Sequence, residues 1–161
     1  MSADKEVMEY FPSTLSRIES DTLAEKCQLQ LAETGWGVWA VELSETEQFI
    51  GIIGLNVPSK NLSFSPCVEI LWRIARPYWG SGYATEGARA ALRVGFEELN
   101  LQEIVSFAVV KNHRSRAIME KLKMTNAGKT FDHPEVPTSS DLKEHCLYRI
   151  LRKEYYSRNK P

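Results

Sequence analysis

The chain of 161 residues contains no apolar run that approaches the roughly 20 residues a membrane-spanning helix needs. Its polar N-terminus lacks the pattern of a signal peptide. Only three cysteines are present, Cys27, Cys67 and Cys146, and their spacing matches no CxxC or Cys/His metal motif. These absences predict a cytoplasmic protein with reduced thiols, no membrane anchor and no metal site.

Excess charge of either sign is also missing. The formal net charge is -1, with 20 basic and 21 acidic residues. One local basic cluster, "KNHRSR", does not make the broad basic face that duplex-binding proteins usually carry, so we expect no nucleic-acid partner. The length predicts one domain over residues 1–161, and a hydrophobic share of 43% is ordinary for a globular protein.

The order of helical and strand patterns predicts a mixed α/β domain with one sheet. "SRIE" has the form of a capping box, with Ser16 as N-cap and Glu19 at N3, and its helix should end at Gly35. The expected apolar stripe of this helix is formed by Ile18, Leu23, Cys27 and Leu31.

Later segments alternate between strand and helix signals. The predicted strands are "WGVWAVEL" and "FIGIIGLNV", which should form an antiparallel hairpin, then "CVEILWRIA", "EIVSFAVV" and "CLYRIL". Helices are predicted up to Asn100 and over "NHRSRAIMEKLKM", where Asn112 is the expected N-cap. The polar stretch 126–144 should be mostly loop, and a charged tail follows the last strand.

A glycine-rich turn, "YWGSGYATEGARAAL", follows the third predicted strand and leads into a helix. It lacks the lysine of a P-loop and the third glycine of a dinucleotide fingerprint. Small residues at the head of a helix still let backbone N–H groups approach an anion. The alternative is a tight turn that uses glycine only for its positive φ.

The chain resembles the GCN5-related N-acetyltransferase (GNAT) superfamily, in particular its branch of ribosomal-protein N-terminal acetylating enzymes. The superfamily writes its coenzyme loop Q/R-x-x-G-x-G/A, and here Gly82 and Ala84 match while Trp79 replaces Gln or Arg. "GYATEGARAAL" and "NHRSRAIMEKLKM" resemble recurrent patterns of that branch, as do "FDHP" and "HCLYRI". The resemblance covers nearly the whole chain.

The resemblance implies a GNAT-like fold whose sheet splays between the third and fourth predicted strands. Acetyl-coenzyme A would be the cosubstrate, its pyrophosphate on the glycine turn and its pantetheine arm in the splay. The basic cluster "KNHRSR" would lie near the 3′-phosphate, although a solvated helix start explains it equally well. The implied coenzyme-binding residues are Ile74, Ala75, Trp79, Gly80, Ser81, Gly82, Tyr83, Ala84, Thr85, Asn112 and Ser115.

Acetyl transfer to an amine needs a neutral nucleophile, a polarised thioester carbonyl and a stabilised leaving thiolate. Glu69 is the candidate base, and alternation places it on one strand face with Leu71 and Arg73. The alternative is a solvated carboxylate at the strand edge, with or without an ion pair to Arg73. Many superfamily members carry a tyrosine acid seven residues after the position of Asn112. Here that residue is Met119, so Ser115 is the candidate that stabilises the thiolate by hydrogen bonding, or else a polar residue of a helix's first turn.

His133 and His145 are further candidates for proton transfer near the acceptor, with structural roles as the alternative. Trp36, Trp39 and Trp72 are interpreted as core or pocket wall. The acceptor stays open between a protein N-terminus and a small-molecule amine, because the fold alone does not determine it.

Family members usually open with a strand that precedes the segment "DKEVMEYF", at which this chain starts. The edge of "WGVWAVEL" should therefore be unpaired, unless a second protomer covers it as a homodimer. Lys123 replaces the usual glycine at a helix end and predicts a less relaxed cap. Together with Met119, these departures favour an alternative function, a non-catalytic acyl-coenzyme A-binding or interaction protein.

Overall fold

Six strands and four α-helices make up the computed structural model, which describes residues 1–158. The helices are α1 (Arg17–Thr34), α2 (Tyr83–Arg93), α3 (His113–Lys121) and α4 (Arg152–Arg158). The strands are β1 (Val38–Glu42), β2 (Phe49–Asn56), β3 (Glu69–Ile74), β4 (Glu103–Val109), β5 (Thr125–Asp132) and β6 (Glu144–Leu151). A 3₁₀ turn over Arg76–Tyr78 follows β3, and a π turn over Val94–Glu98 continues α2.

All six strands belong to one sheet in the order β1-β2-β3-β4-β6-β5. Every neighbouring pair is antiparallel except β3 and β4, which are parallel. This architecture confirms the predicted mixed α/β, GNAT-like fold, including the β1–β2 hairpin. Within residues 1–158, β1 pairs only with β2, and no strand covers its other edge.

Helix α1 begins and ends as its sequence predicts, but it buries little. The Ser16 hydroxyl accepts a hydrogen bond from the Glu19 N–H, the Glu19 carboxylate accepts one from the Ser16 N–H, and Gly35 caps the helix in the left-handed region. The predicted apolar stripe is only half-buried, and Ile18 is 78% exposed. Charged residues interleave with the apolar ones, so the helix lacks a continuous apolar face to bury.

The prediction of a loop over residues 126–144 is wrong for its first part, where β5 runs from Thr125 to Asp132. β5 pairs antiparallel with β6, from Thr125 opposite Arg149 to Asp132 opposite Glu144. Backbone hydrogen bonds to a neighbouring strand stabilise an edge strand even when most of its side chains are exposed. The polar sequence of β5 therefore did not indicate a strand. The charged tail likewise begins as α4.

The core lies between one face of the sheet and helices α2 and α3. Its most deeply buried side chains are Phe96, Leu55, Ile70, Ile104 and Met119. Trp36, Trp39 and Trp72 pack against this core, as predicted. Lys123 adopts a φ of 62° after α3, which confirms the strained cap that replacing glycine implies.

The first dozen residues lie across the other side of the sheet. Glu6 pairs with Arg76 and Glu9 pairs with Arg114, so this N-terminal segment is tied both to the turn after β3 and to the start of α3. Phe11 packs against the Arg73 guanidinium, 4.4 Å from the ring centroid. Within residues 1–158, no helix has the length and hydropathy to cross a lipid bilayer.

Candidate functional site

The two parallel strands in the centre of the sheet separate after a single pairing. Glu69 of β3 lies opposite Val105 of β4, and the Ser106 hydroxyl donates to the Ile70 carbonyl at 3.1 Å. No further β3–β4 pairing follows along the described strands. A cavity of about 670 Å³ occupies the opening, confirming the predicted splay.

Backbone polar groups line both sides of this opening. The carbonyls of Val68 and Ile70 accept from β4, so the alternation of the strand turns the N–H and C=O of Trp72 toward the opening. The Val105 N–H donates to Val68, so by the same alternation the N–H and C=O of Phe107 point there. Backbone groups away from water need partners, so an extended ligand with amides fits between these strands.

The glycine turn presents open backbone at the head of α2. Gly80 and Gly82 have φ of 81° and 90°, and a Cβ built on either would meet no atom within 4 Å. The first helical bond runs from the Glu86 N–H to the Gly82 carbonyl at 3.0 Å, which leaves the amides 82–85 without helical acceptors. The turn therefore uses glycine for its positive φ and also leaves backbone N–H groups open to a ligand.

Trp79 holds this turn in place. Its indole N–H donates to the Ile74 carbonyl at 2.7 Å, which closes the chain between the end of β3 and the glycines. The guanidinium groups of Arg76 and Arg114 lie 4.9 Å and 4.5 Å from its ring centroid. Trp79, at the position where the superfamily motif has Gln or Arg, therefore contacts two cations, and Arg114 is the one of them that lines the cavity.

Asn112 and Ser115 lie together at the start of α3 and line the cavity. The Asn112 side-chain oxygen accepts from the Ser115 N–H at 3.1 Å, which confirms Asn112 as the N-cap. Ser115 is half-buried, and Met119, one turn further, is 1% exposed and belongs to the core. Among these three side chains, only those of Asn112 and Ser115 can therefore offer polar atoms to the cavity.

Glu69 lines the cavity near the point where β3 and β4 part. Its carboxylate accepts from the Asn56 side-chain amide at 2.7 Å. Burial raises the pKa of Glu69, opposed by this hydrogen bond, and the nearby Glu135 raises it further. The alternative ion pair with Arg73 is not formed, because the Arg73 side chain turns toward Phe11 and Ser2. A carboxyl with a raised pKa is suited to accepting a proton near neutral pH.

His133 and His145 lie in contact, with ring centroids 4.9 Å apart, and both line the cavity with Glu69. The His145 Nδ1 lies 3.0 Å from the Lys143 carbonyl, which can only accept, so Nδ1 carries the proton and Nε2 is free. Burial lowers the pKa of both imidazoles. Neutral histidines beside the cavity can exchange protons but add no positive charge.

The comparison with known families decides the identity. A family model described as "Acetyltransferase (GNAT) domain" matches residues 1–125, most of the chain. The chain belongs to the GNAT acetyltransferase family. The match agrees with the splayed sheet and the glycine turn described above.

Individual GNAT relatives match over part of their length. The FsC-acetyl coenzyme A-N(2)-transacetylase of Aspergillus fumigatus is 34% identical over 131 residues, 79% of this chain and 55% of that protein. The N-acetyltransferase YnaD of Bacillus subtilis is 33% identical over 87 residues, 54% of this chain and 50% of that protein. The chain thus spans about half the length of the curated relatives it matches.

Solved GNAT structures share the fold. A GNAT-family acetyltransferase from Bacillus anthracis superposes with a TM-score of 0.77 at 26% identity, covering 95% of this chain and 86% of that one. The spermidine/spermine N-acetyltransferase SpeG from Vibrio cholerae has a TM-score of 0.67 at 20% identity, covering 87% and 81%. At that identity the second comparison concerns the fold alone.

Sequence reasoning missed several residues of this GNAT cavity. Glu135 lines the cavity from the polar stretch assigned to loop. Asn56, at the end of β2, does not line the cavity but donates a hydrogen bond to Glu69, and it had no motif to single it out. Phe107 packs against both histidines, but the run "EIVSFAVV" indicates only a buried strand. Strand alternation could have placed Phe107 on the face of Glu69 once the β3–β4 register was known. No group of three His, Cys, Asp or Glu side chains within residues 1–158 is arranged to hold a metal ion.

Proposed function

We propose that the chain is an acetyl-coenzyme A-dependent N-acetyltransferase that transfers the acetyl group directly to a primary amine. One observation carries the proposal: unpaired backbone on β3 and β4 leads from the open amides of the glycine turn to Glu69. That path fits an extended cosubstrate with phosphates at one end and a reactive thioester at the other.

The coenzyme would be held mainly by backbone. Its phosphates would contact the amides at the head of α2, with the guanidinium of Arg114 nearby, and the arm would pair with the edges of β3 and β4. The residues proposed for this binding are Ile74, Ala75, Trp79, Gly80, Ser81, Gly82, Tyr83, Ala84, Thr85, Asn112 and Ser115. All but Ala75 and Ser81 line the cavity.

Bound acetyl-coenzyme A supplies an acetyl group activated as a thioester. The Trp72 N–H, which faces the opening, is placed to polarise a carbonyl there. Glu69 accepts the proton that the attacking nitrogen loses, directly or through a water. Ser115, held at the start of α3, donates a hydrogen bond to the departing sulfur. No covalent enzyme intermediate is required, because the amine itself is the nucleophile.

The acceptor class is a primary amine, either of a protein N-terminus or of a small molecule. The motifs "GYATEGARAAL" and "HCLYRI" support the ribosomal branch of the family. The A. fumigatus relative is named for transfer to an N(2) position, and the structural neighbour SpeG for spermidine and spermine. Both names favour amine acceptors in general.

The cellular setting is proposed from the same observations. Three free cysteines fit a reducing cytoplasm, and the proposed organisation is one domain over residues 1–161. No nucleic-acid, membrane or metal partner is proposed. The unpaired edge of β1 favours a homodimer in which a second copy covers it.

The alternative is a protein that binds acyl-coenzyme A without catalysis, favoured by Met119 at the usual tyrosine position. To separate the two, the protein is incubated with acetyl-coenzyme A and a mixed panel of amines, and free thiol is followed over time. Thiol release that requires an amine supports transfer. Thermal stabilisation by the coenzyme without thiol release from any amine would favour the binding protein. If the coenzyme causes no stabilisation, both functions are contradicted.

A further inference from the structure

Arg73 is a cation in the cavity wall that no carboxylate neutralises. Within residues 1–158 it takes part in no ion pair; its Nη1 reaches only the Ser2 hydroxyl at 3.4 Å, and its buried Nε has no hydrogen-bond partner. By contrast, Arg114, which also lines the cavity, is paired with Glu9. A poorly solvated guanidinium without an anion is costly unless a ligand supplies one.

The groups near Arg73 do not compensate its charge. Burial lowers the pKa of the guanidinium, which reflects poor solvation. Burial also raises the pKa of the neighbouring Cys27 thiol, so this sulfur is not the missing anion near neutral pH. Phe11 covers the guanidinium at 4.4 Å, a favourable contact that satisfies none of its N–H donors.

Arg73 and Glu69 lie on one face of β3, four residues apart, and both line the cavity. Their Cα atoms are about 13 Å apart along the strand at ~3.3 Å per residue. Ile70 and Ile74, on the opposite face, pack in the core with α2, whose N-terminal amides are the proposed phosphate site. Arg73 therefore points away from that side of the strand, toward Ser2 and Phe11 of the N-terminal segment.

We propose that the acceptor carries a carboxylate in addition to its amine, and that Arg73 binds this carboxylate while Glu69 faces the amine. This inference rests on the proposed function and narrows its acceptor to amino-acid-type amines. The cavity then has a cationic end at Arg73 and an anionic end at Glu69 and Glu135. A diamine or polyamine would bring a second positive charge toward Arg73 and be disfavoured.

The test uses matched acceptors: ω-amino acids of increasing length, their primary amides, and diamines of equal length. Free amino acids and short peptides with one acidic side chain are included, because both present an amine with a carboxylate. We expect kcat/KM of the best amino acid or acidic peptide to exceed that of its amide by about tenfold, as for one charge-assisted contact. The diamine should be slower still.

Arg73→Gln should abolish the preference for the acid over the amide while leaving turnover of the amide within a few-fold. Arg149→Gln, an exposed arginine of β6 outside the cavity, is the control and should keep the preference. Phe11→Leu removes the ring that covers Arg73 but keeps the charge, so it should keep the preference too. If Phe11→Leu loses the preference as Arg73→Gln does, Arg73 serves only to hold the N-terminal segment and the proposal is overturned.

Binding is also measured by calorimetry on protein saturated with coenzyme A, so that the result does not depend on catalysis. Tighter binding of the acid than of the amide to the wild type supports the inference, even if no amine releases thiol and the proposed function fails. Equal binding of the acid and the amide contradicts the inference, even if acetyl transfer proceeds. If Arg73→Gln does not fold, the comparison of acid and amide binding to the wild type still tests the proposal.

Discussion

Glu69 and Arg73 share one face of β3 without forming an ion pair. The carboxylate accepts from Asn56 at 2.7 Å, and the guanidinium packs on Phe11 and reaches Ser2. Had the two charges neutralised each other, neither would be available to a ligand. Their separation leaves an acid–base group and a cation near opposite ends of β3, both in the wall of one cavity.

Replacing the carboxyl of Glu69 should slow acetyl transfer most at neutral pH. We expect Glu69→Gln to lower kcat/KM by about 10²-fold or more at pH 7, within the range for removing a general base. Because burial raises the pKa of Glu69, the wild type should lose activity as the pH falls through this raised pKa, and the variant should lack that limb. Its deficit should shrink at high pH, where more of the amine is neutral.

The pH dependence of kcat/KM is measured for the wild type, Glu69→Gln and a control, Glu42→Gln. Glu42 is an exposed carboxylate of β1 and does not line the cavity. If the wild type and Glu69→Gln show the same pH profile, Glu69 is not the base.

A side chain at Gly82 should block the coenzyme. In Gly82→Val the new methyl groups would occupy the open space above the amides of α2 and strain a φ of 90°. We expect the Kd for coenzyme A, measured by calorimetry, to rise by at least about tenfold.

Gly128→Val is the matched control for strain, since Gly128 also has a positive φ, 68°, and open space, but lies in β5 away from the cavity. It should lower stability and leave the Kd unchanged. Equal effects of the two variants on the Kd would mean that the phosphates bind elsewhere.

Removing the Ser115 hydroxyl should affect the departing sulfur more than the binding of the coenzyme, because the other proposed binding residues still hold the coenzyme. A hydrogen bond to a charged group contributes about 1.5–3 kcal/mol, so Ser115→Ala should lower kcat about 10-fold or more while the Kd of coenzyme A stays similar. The Ser115 N–H bond to Asn112 is a backbone contact and survives the change. Single-turnover rates measure the step, and an unchanged rate would leave Ser115 as a polar residue of the first turn only.

Stability should fall in mild acid because of the two cavity histidines. Burial lowers the pKa of His145 in the folded state, so the unfolded chain binds more protons once the pH falls below about 6.5. The stabilisation from a neutral His145 is therefore complete above the unfolded pKa and decreases as the pH falls toward the folded pKa. Melting temperatures of the wild type and His145→Gln at pH 7.5 and 5.5 should show a smaller drop for the variant. A larger drop in melting temperature for the variant would mean that His145 stabilises the fold in acid, which contradicts the prediction.

The edge of β1 that no strand of residues 1–158 covers should mediate self-association. Ala40 lies in the middle of β1, and its neighbours Trp39 and Val41 pack against the core. Because the Gly37 carbonyl accepts from β2, alternation directs the Ala40 N–H outward. We expect a homodimer by light scattering, and Ala40→Pro should yield monomers that retain the circular dichroism of the fold. A monomeric wild type would contradict the homodimer.

Local sequence signals account for the elements whose determinants lie close together in the chain. The capping residues Ser16 and Asn112 and the turn glycines act within a few residues, and their predicted roles appear in the structure. β5 could not be predicted this way, because its stability comes from pairing with β6 rather than from its polar side chains. Whether an edge segment forms a strand depends on the strand it pairs with as much as on its own sequence.

The residues of the candidate site also differ in whether local motifs or strand register bring them together. The glycine turn and Asn112 were found by motif, whereas the true partner of Glu69 required the register of β2 against β3, which puts Asn56 opposite Glu69. The contact of His133 with His145 likewise depends on the β5–β6 pairing, which places Phe131 opposite His145. Residues joined only by strand register carry no spacing signal in the chain.

Because β3 and β4 separate after a single pairing, fewer backbone hydrogen bonds join these two central strands than join any other neighbouring strands of the sheet. A cosubstrate arm bound there would connect the two halves of the sheet, β1–β3 and β4–β6, by hydrogen bonds. Amide hydrogen exchange at Trp72 and Phe107 would then slow only when the cosubstrate is bound. The melting temperature of the protein would then vary with metabolite supply. When the cosubstrate is scarce in the cell, more of the protein would be unbound, and the unbound protein would unfold and be degraded more readily.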